Sequence, residues 1–268
     1  MTIRKCTYIG LGNMGLAVYK ATHKYFLANG WKIEAIDLNP QRTINITTDD
    51  IKLAQTPPER STVTFIGVRP QDFISLREHS HKVDIVVSMM AGISVDTIKT
   101  VFPGSRIIRI IPNTPCAFGA GITPIYTDFN SLKDTTTASV LTALSRLGPL
   151  MPVLDEPMIN CATGISAGGP AYIMLIAEAM ISTAEEMGFE PAESRQLVAH
   201  TLLGSAELLI QTSKSPRELA QEVMTPNGTT ERGVSELQRR DIGNSFRTAL
   251  LNASKRAIDI ARESRNQK

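Results

Sequence analysis

The chain has no cysteine pair at metal-ligand spacing. Its three cysteines, Cys6, Cys116 and Cys161, are far apart and odd in number. That argues against a zinc site and a disulfide framework, and fits reduced core thiols in a cytoplasmic protein. Histidine is scarce too, with only His23, His79, His81 and His200. His79 and His81 lie in a polar, charged stretch without carboxylate or cysteine company, a setting that suits solvated side chains better than metal ligands. No block of like charge stands out, and 28 basic against 26 acidic residues leave a net charge of +2. Nucleic acid and anionic membrane are therefore poor first guesses as partners. No run of about 18 consecutive apolar residues occurs, so no membrane span is expected. The N-terminus, "MTIRKCTYIGLG", enters a strand directly and has no signal-peptide hydrophobic core.

What is present is a chain of 268 residues, 42% hydrophobic and 20% charged, enough for one large globular domain or two ordinary ones. A short apolar strand, "CTYI" (6–9), runs into "GLGNMG", and a helical pattern follows from about Met14 to Asn29, closed by Gly30. A second strand, "KIEAID", ends at Asp37. This is a G-x-G-x-x-G in a strand–turn–helix setting with an acid about 20 residues on, the pattern of dinucleotide binding. Gly10 permits the tight turn, Gly12 lets the backbone approach a pyrophosphate, and Gly15 lets helix and strand pack closely. An acid at Asp37 suits two ribose hydroxyls and repels a 2′-phosphate, so NADH is favoured over NADPH. Asn39 and Arg42 lie just beyond, and Arg42 either reaches a phosphate or is simply solvated.

Further strands, "STVTFIGV" (61–68), "KVDIVVSMM" (82–90) and "SRIIRIIP" (105–112), suit a parallel sheet buried on both faces. They end at Arg69-Pro70, Ala91-Gly92 and Asn113, on the edge where such sheets bind ligands, although ordinary turns would read the same way. The cofactor-facing candidates are thus Gly10, Leu11, Gly12, Asn13, Met14, Gly15, Asp37, Asn39, Val68, Arg69, Pro70, Ala91, Gly92 and Asn113.

After "MPVLDE" (151–156) the pattern turns helical. "AYIMLIAEAMISTAEEMG" (171–188) reads as a fully buried helix, followed by helices over 194–212, 216–224 and 230–264. The expected fold is an α/β Rossmann-like domain over 1–160 followed by an all-α domain over 161–268. That second half has too much apolar face for its size, and pairing with a second copy would cover it. Within it, "VMTPNGTTERGVSEL" (223–237) puts a polar loop with two adjacent hydroxyls at the head of a helix. The loop suits a helix cap at Thr229 or Thr230, or an anion site on free N–H groups.

Together "IGLGNMG", "GVRPQ", "MAGIS", "IIPNTP", "SAGGPAY" and "TPNGTTERGVSEL" resemble pyrroline-5-carboxylate reductases in order and spacing over almost the whole chain. The resemblance implies an NAD(P)H-dependent reductase of a cyclic imino acid, a homodimer with its active site at the dimer interface. It also implies that the N–H groups of Gly228, Thr229 and Thr230 hold the substrate carboxylate and the Thr230 hydroxyl holds the ring nitrogen, with no metal. Arg69, Gly168, Asn227 and Glu231 depart from the family pattern, where lysine, serine, glycine and an apolar residue are usual. Competing readings are a reductase of a related cyclic imine, a β-hydroxyacid dehydrogenase, or a non-enzymatic cofactor sensor on the same fold. The dehydrogenase would need a lysine on the helix 171–188, which has none.

Overall fold

The computed structural model describes residues 4–37, 39, 51–53, 56–79, 82–128 and 134–266, with the backbone alone at 51–53, 78–79 and 264–266. Arg42, His81 and the side chain of His79 lie outside the described residues. The chain forms two compact units, Met1–Pro170 with Leu251–Lys268, and Ala171–Leu250. This division differs from a cut at 160/161, because the last helix is continuous and its C-terminal half belongs to the first unit.

The first unit is built on an eight-stranded sheet. Its strands are β1 (Lys5–Ile9), β2 (Lys32–Ile36), β3 (Ile51–Leu53), β4 (Arg60–Ile66), β5 (Lys82–Ser88), β6 (Arg106–Ile110), β7 (Thr123–Tyr126) and β8 (Leu150–Pro152). The order is β3-β2-β1-β4-β5-β6-β7-β8. The first six strands are parallel, in the doubly wound order that reverses between β1 and β4 and opens a crevice there. β7 departs from the expected parallel sheet and runs antiparallel to β6. The segment between them carries only a 3-10 turn over Thr114–Phe118, and without a crossover helix the chain doubles back.

Helix α1 (Asn13–Ala28) covers one face, with Tyr19, Thr22 and Phe26 inward. Tyr8 stacks on Phe65 with ring centroids 4.8 Å apart, and its hydroxyl meets Thr22 Oγ1 at 2.7 Å, so its polar tip is satisfied inside the core. Helices α2 (Val95–Val101), α3 (Thr135–Leu144) and α4 (Glu156–Ala162) belong to the same unit.

A π-helical turn at Thr163–Ala167 leads into α5 (Gly169–Glu186), followed by α6 (Pro191–Gln211), α7 (Pro216–Glu222), α8 (Thr229–Arg239) and α9 (Ile242–Asn266). Within a single subunit α5 is not fully buried, contrary to the expectation from its sequence. Only Ala177 is buried in this helix, while Leu175 is 65% and Met174 60% exposed. Apolar sequence reports that a face is to be covered, not which molecule covers it. By length and composition the run Glu156–Glu186 is also long and apolar enough to cross a membrane. Helices of the second unit bound an apolar groove of about 1040 Å³, lined by Tyr172, Ile176, Leu197, Leu237 and Phe246 among others.

Candidate functional site

The turn after β1 is set by backbone contact. Gly10 sits at φ +85°, and a Cβ on it would lie 2.6 Å from Val68 N. A Cβ on Gly15 would lie 2.0 Å from Gly10 O. Both glycines are thus required by the meeting of β1, β4 and α1, whatever binds outside. Gly12 is different. Its φ of −59° suits any residue, and it is the N-cap of α1, where no side chain caps the helix and no acid occupies the first turn. The opening N–H groups of α1 are left for an anion.

Asp37 follows β2 and closes the loop from the other side. Its Oδ2 accepts the Leu11 N–H at 2.6 Å and its Oδ1 accepts the Asn39 N–H at 2.8 Å. Around this point lies a cleft of about 850 Å³, lined by Gly10, Gly12, Asn13, Asp37, Asn39, Val68 and Arg69 of the sequence candidates. Asp72 and Ser75 line it as well, on 3-10 turns that the sequence pattern does not reveal.

The other candidates are not among the residues that line this cleft, and each makes contacts within the protein. Leu11 is 1% exposed, its side chain in the core and its N–H on Asp37. Met14 is half-buried, 4.0 Å from Cys116 Sγ. Burial pushes that thiol up to about 11, so it stays protonated and unreactive at neutral pH. Pro70 opens the 3-10 turn Pro70–Asp72. Asn113 Oδ1 accepts the Ile122 N–H at 3.0 Å and braces the link from β6 to β7. Ala91 and Gly92 form the turn after β5, where Gly92 has φ +76° and a Cβ on it would lie 2.7 Å from Ile260 Cγ2 of α9. The backbone approach that glycine allows at 92 is made by a helix of the chain itself.

Sequence reading also missed a buried ion pair. Arg109, on β6 with its side chain 2% exposed, donates through Nη1 to Glu156 Oε1 at 2.7 Å. The same oxygen accepts the Val95 N–H at 2.7 Å, at the N-terminus of α2. One carboxylate thus ties β6, α2 and α4 together behind the turn 91–94. The signal was present in the sequence, where "RIIRI" puts a cation inside an otherwise apolar strand.

In the second unit, Gly228 is the N-cap of α8, and no side chain caps the helix. Thr229 and Thr230 are its first two residues, so neither hydroxyl is spent on a cap. Gly228 N–H donates to Thr225 O at 2.8 Å, and a Cβ on Gly228 would lie 2.3 Å from Thr225 Oγ1. Glu231 turns back, its Oε2 accepting the Asn227 N–H at 2.7 Å. Both threonines are exposed at the head of a helix whose N–H groups want an acceptor. Among the described residues, no cluster of three or more histidine, cysteine, aspartate or glutamate side chains could hold a metal ion.

Residues 156–260 match the family model described as pyrroline-5-carboxylate reductase dimerisation. Pyrroline-5-carboxylate reductase 3 of Xenopus laevis is 34% identical over 75% of this chain and 74% of its own length. Pyrroline-5-carboxylate reductase of Escherichia coli (strain K12) is 30% identical over 96% of both chains. A structure of Plasmodium falciparum pyrroline carboxylate reductase with NADP bound shares the fold, with a TM-score of 0.82 over 96% of this chain and 98% of that one at 20% identity.

Proposed function

This chain belongs to the pyrroline-5-carboxylate reductase family, and from that premise we propose that it reduces the cyclic imine 1-pyrroline-5-carboxylate to L-proline with a nicotinamide cofactor. When bound, the reduced nicotinamide supplies a hydride to the imine carbon, while the ring nitrogen carries the proton. The chain's own task is alignment. The uncapped N–H groups of Thr229 and Thr230 hold the carboxylate, joined by that of Gly228 when it gives up its bond to Thr225 O, and the hydroxyl of Thr230 holds the ring nitrogen. A neutral hydroxyl suffices, because the protonated imine needs no strong base. The observation that carries this reading is the head of α8, where neither threonine is spent on capping.

The cleft at the β1–β4 crevice would take the dinucleotide, with its pyrophosphate against the open end of α1 beside Gly12. NADH is the better fit, because the carboxylate of Asp37 closes the rim where a 2′-phosphate would lie. Residues 1–160 would carry cofactor binding and 161–268 pairing and substrate binding. The exposed apolar face of α5 and the match over 156–260 both support a homodimer, with loop 228–230 of one subunit serving the cofactor of its partner. A cytoplasmic setting with reduced thiols belongs to the same reading.

The test is steady-state oxidation of NADH and NADPH with pyrroline-5-carboxylate and with the six-membered imino acid. Turnover of the five-membered ring, faster with NADH, is the expected result. No turnover of the five-membered ring, from a folded dimer and with either cofactor, would sink the proposal.

A further inference from the structure

Asn227 is one of two non-glycine residues at positive φ among the described residues, at +61°. Asparagine tolerates this region better than most residues, yet the left-handed conformation still costs about tenfold in population. Its backbone N–H donates to Glu231 Oε2 at 2.7 Å. Glu231 lies in the first turn of α8, so the helix fixes its backbone while its side chain reaches back over the loop. It takes the N–H of Asn227 and leaves those of Thr229 and Thr230 unclaimed by its carboxylate. On the other side, the bond from Gly228 N–H to Thr225 O and the close approach of Thr225 Oγ1 hold the loop. Were Asn227 to relax to negative φ, the peptide planes after it would rotate and the N–H groups of Thr229 and Thr230 would change direction relative to the loop.

We infer that Glu231 is a positioning residue for the imino acid: it fixes Asn227 in its left-handed conformation and so aims the N–H groups of Thr229 and Thr230 at the substrate carboxylate. This rests on the reading that the loop holds that carboxylate. The opposite role for the same side chain is electrostatic, a negative charge that repels an anionic substrate. The two roles predict opposite signs.

The experiment is a cycle on the dimeric enzyme, with kcat and KM for the imino acid measured for Glu231→Ala, Glu231→Gln, Asn227→Gly and the double substitution Asn227→Gly/Glu231→Ala. Positioning predicts that Glu231→Ala raises KM about tenfold with kcat changed far less, since the whole ligand loses its anchor. Glu231→Gln keeps an acceptor and restores most of the affinity. With Asn227→Gly in place, Glu231→Ala costs under about twofold, because glycine needs no help at that φ. A KM that falls or stays level in Glu231→Ala overturns the inference, as does an equal cost in both backgrounds. Thr230→Ala, run alongside, separates the two ideas. If it costs activity while the cycle is additive, the loop reading stands and the role of Glu231 fails. If Thr230→Ala is inert, the loop reading itself fails.

Discussion

The Leu11 N–H and the Asp37 carboxylate meet at 2.6 Å, so the residue after β2 also sets the shape of the glycine loop after β1. On the proposed reading of Asp37, cofactor choice and loop geometry are coupled. Asp37→Ser removes the negative charge and one of the two oxygens that accept the Leu11 and Asn39 N–H groups. A hydrogen bond to a charged group is worth about 1.5–3 kcal/mol, so kcat/KM with NADH should fall by about ten- to a hundredfold. The loss with NADPH should be smaller, because a repulsion also disappears. Kinetics with both cofactors check this, and an unmodified enzyme that uses NADPH as well as NADH would refute the role given to Asp37.

The glycines of one motif should separate by phenotype. Gly12→Val falls at an ordinary φ of −59° and should give a folded protein that binds neither NADH nor NADPH by calorimetry. Gly15→Ala puts a Cβ 2.0 Å from Gly10 O and should destabilise the fold by about 3 kcal/mol, read as a lowered denaturation midpoint. Unchanged cofactor affinity in a folded Gly12→Val variant would end the dinucleotide assignment.

Thr230→Ala leaves the N–H donors of the loop in place and removes the hydroxyl. Loss of one bond to a group that becomes charged predicts a fall of about ten- to a hundredfold in kcat/KM, with NADH affinity barely altered. Thr230→Ser should retain much more activity. Parent-level turnover by the alanine variant would return the threonine pair to a structural role.

Breaking the buried pair should cost stability more than any single loop change. Arg109→Met leaves Glu156 holding the Val95 N–H without its cation, and a broken buried pair typically costs about 3–5 kcal/mol. Denaturation at fixed protomer concentration measures it. A cost under about 1 kcal/mol would mean that water or another cation reaches Glu156.

Alkaline pH should weaken the fold through groups that burial keeps protonated. Burial pushes the Cys116 thiol up to about 11 and the Tyr19 phenol up to about 12, and raises Cys6 and Tyr8 further. The unfolded chain releases the thiol protons from about pH 8.5 and the phenol protons from about pH 10, while the folded chain retains them. Stability from these groups is thus complete below about pH 8.5 and is lost as pH rises toward the folded values, by about 1.4 kcal/mol per unit for each titrating group. A denaturation midpoint that does not fall between about pH 9 and 11 would contradict the buried placement of these side chains.

The glycine loop was legible because spacing and setting together encode one backbone path. Gly92 was not, since a motif shows that something approaches a glycine but not what. Here it is Ile260, 168 positions later in the chain. The Asn227–Glu231 bond was equally hidden, because the sequence presents two departures from a pattern and only coordinates show them bonded to each other. α5 was legible as apolar, but its partner is not written in the segment itself. β7 was missed as a strand, and its reversed direction follows from a connection too irregular to read from periodicity.

The path of the chain through its two units has one more outcome. It leaves the first unit inside α5 and re-enters it inside α9, so residues 171–250 form an insertion bounded by two helices rather than a module hung on a linker. A chain cut at 250 would lose the helix that Gly92 is shaped to meet, and a fragment beginning at 161 would carry that helix without its seat. An exchange of halves at 160/161 would therefore replace the part of α9 that meets Gly92.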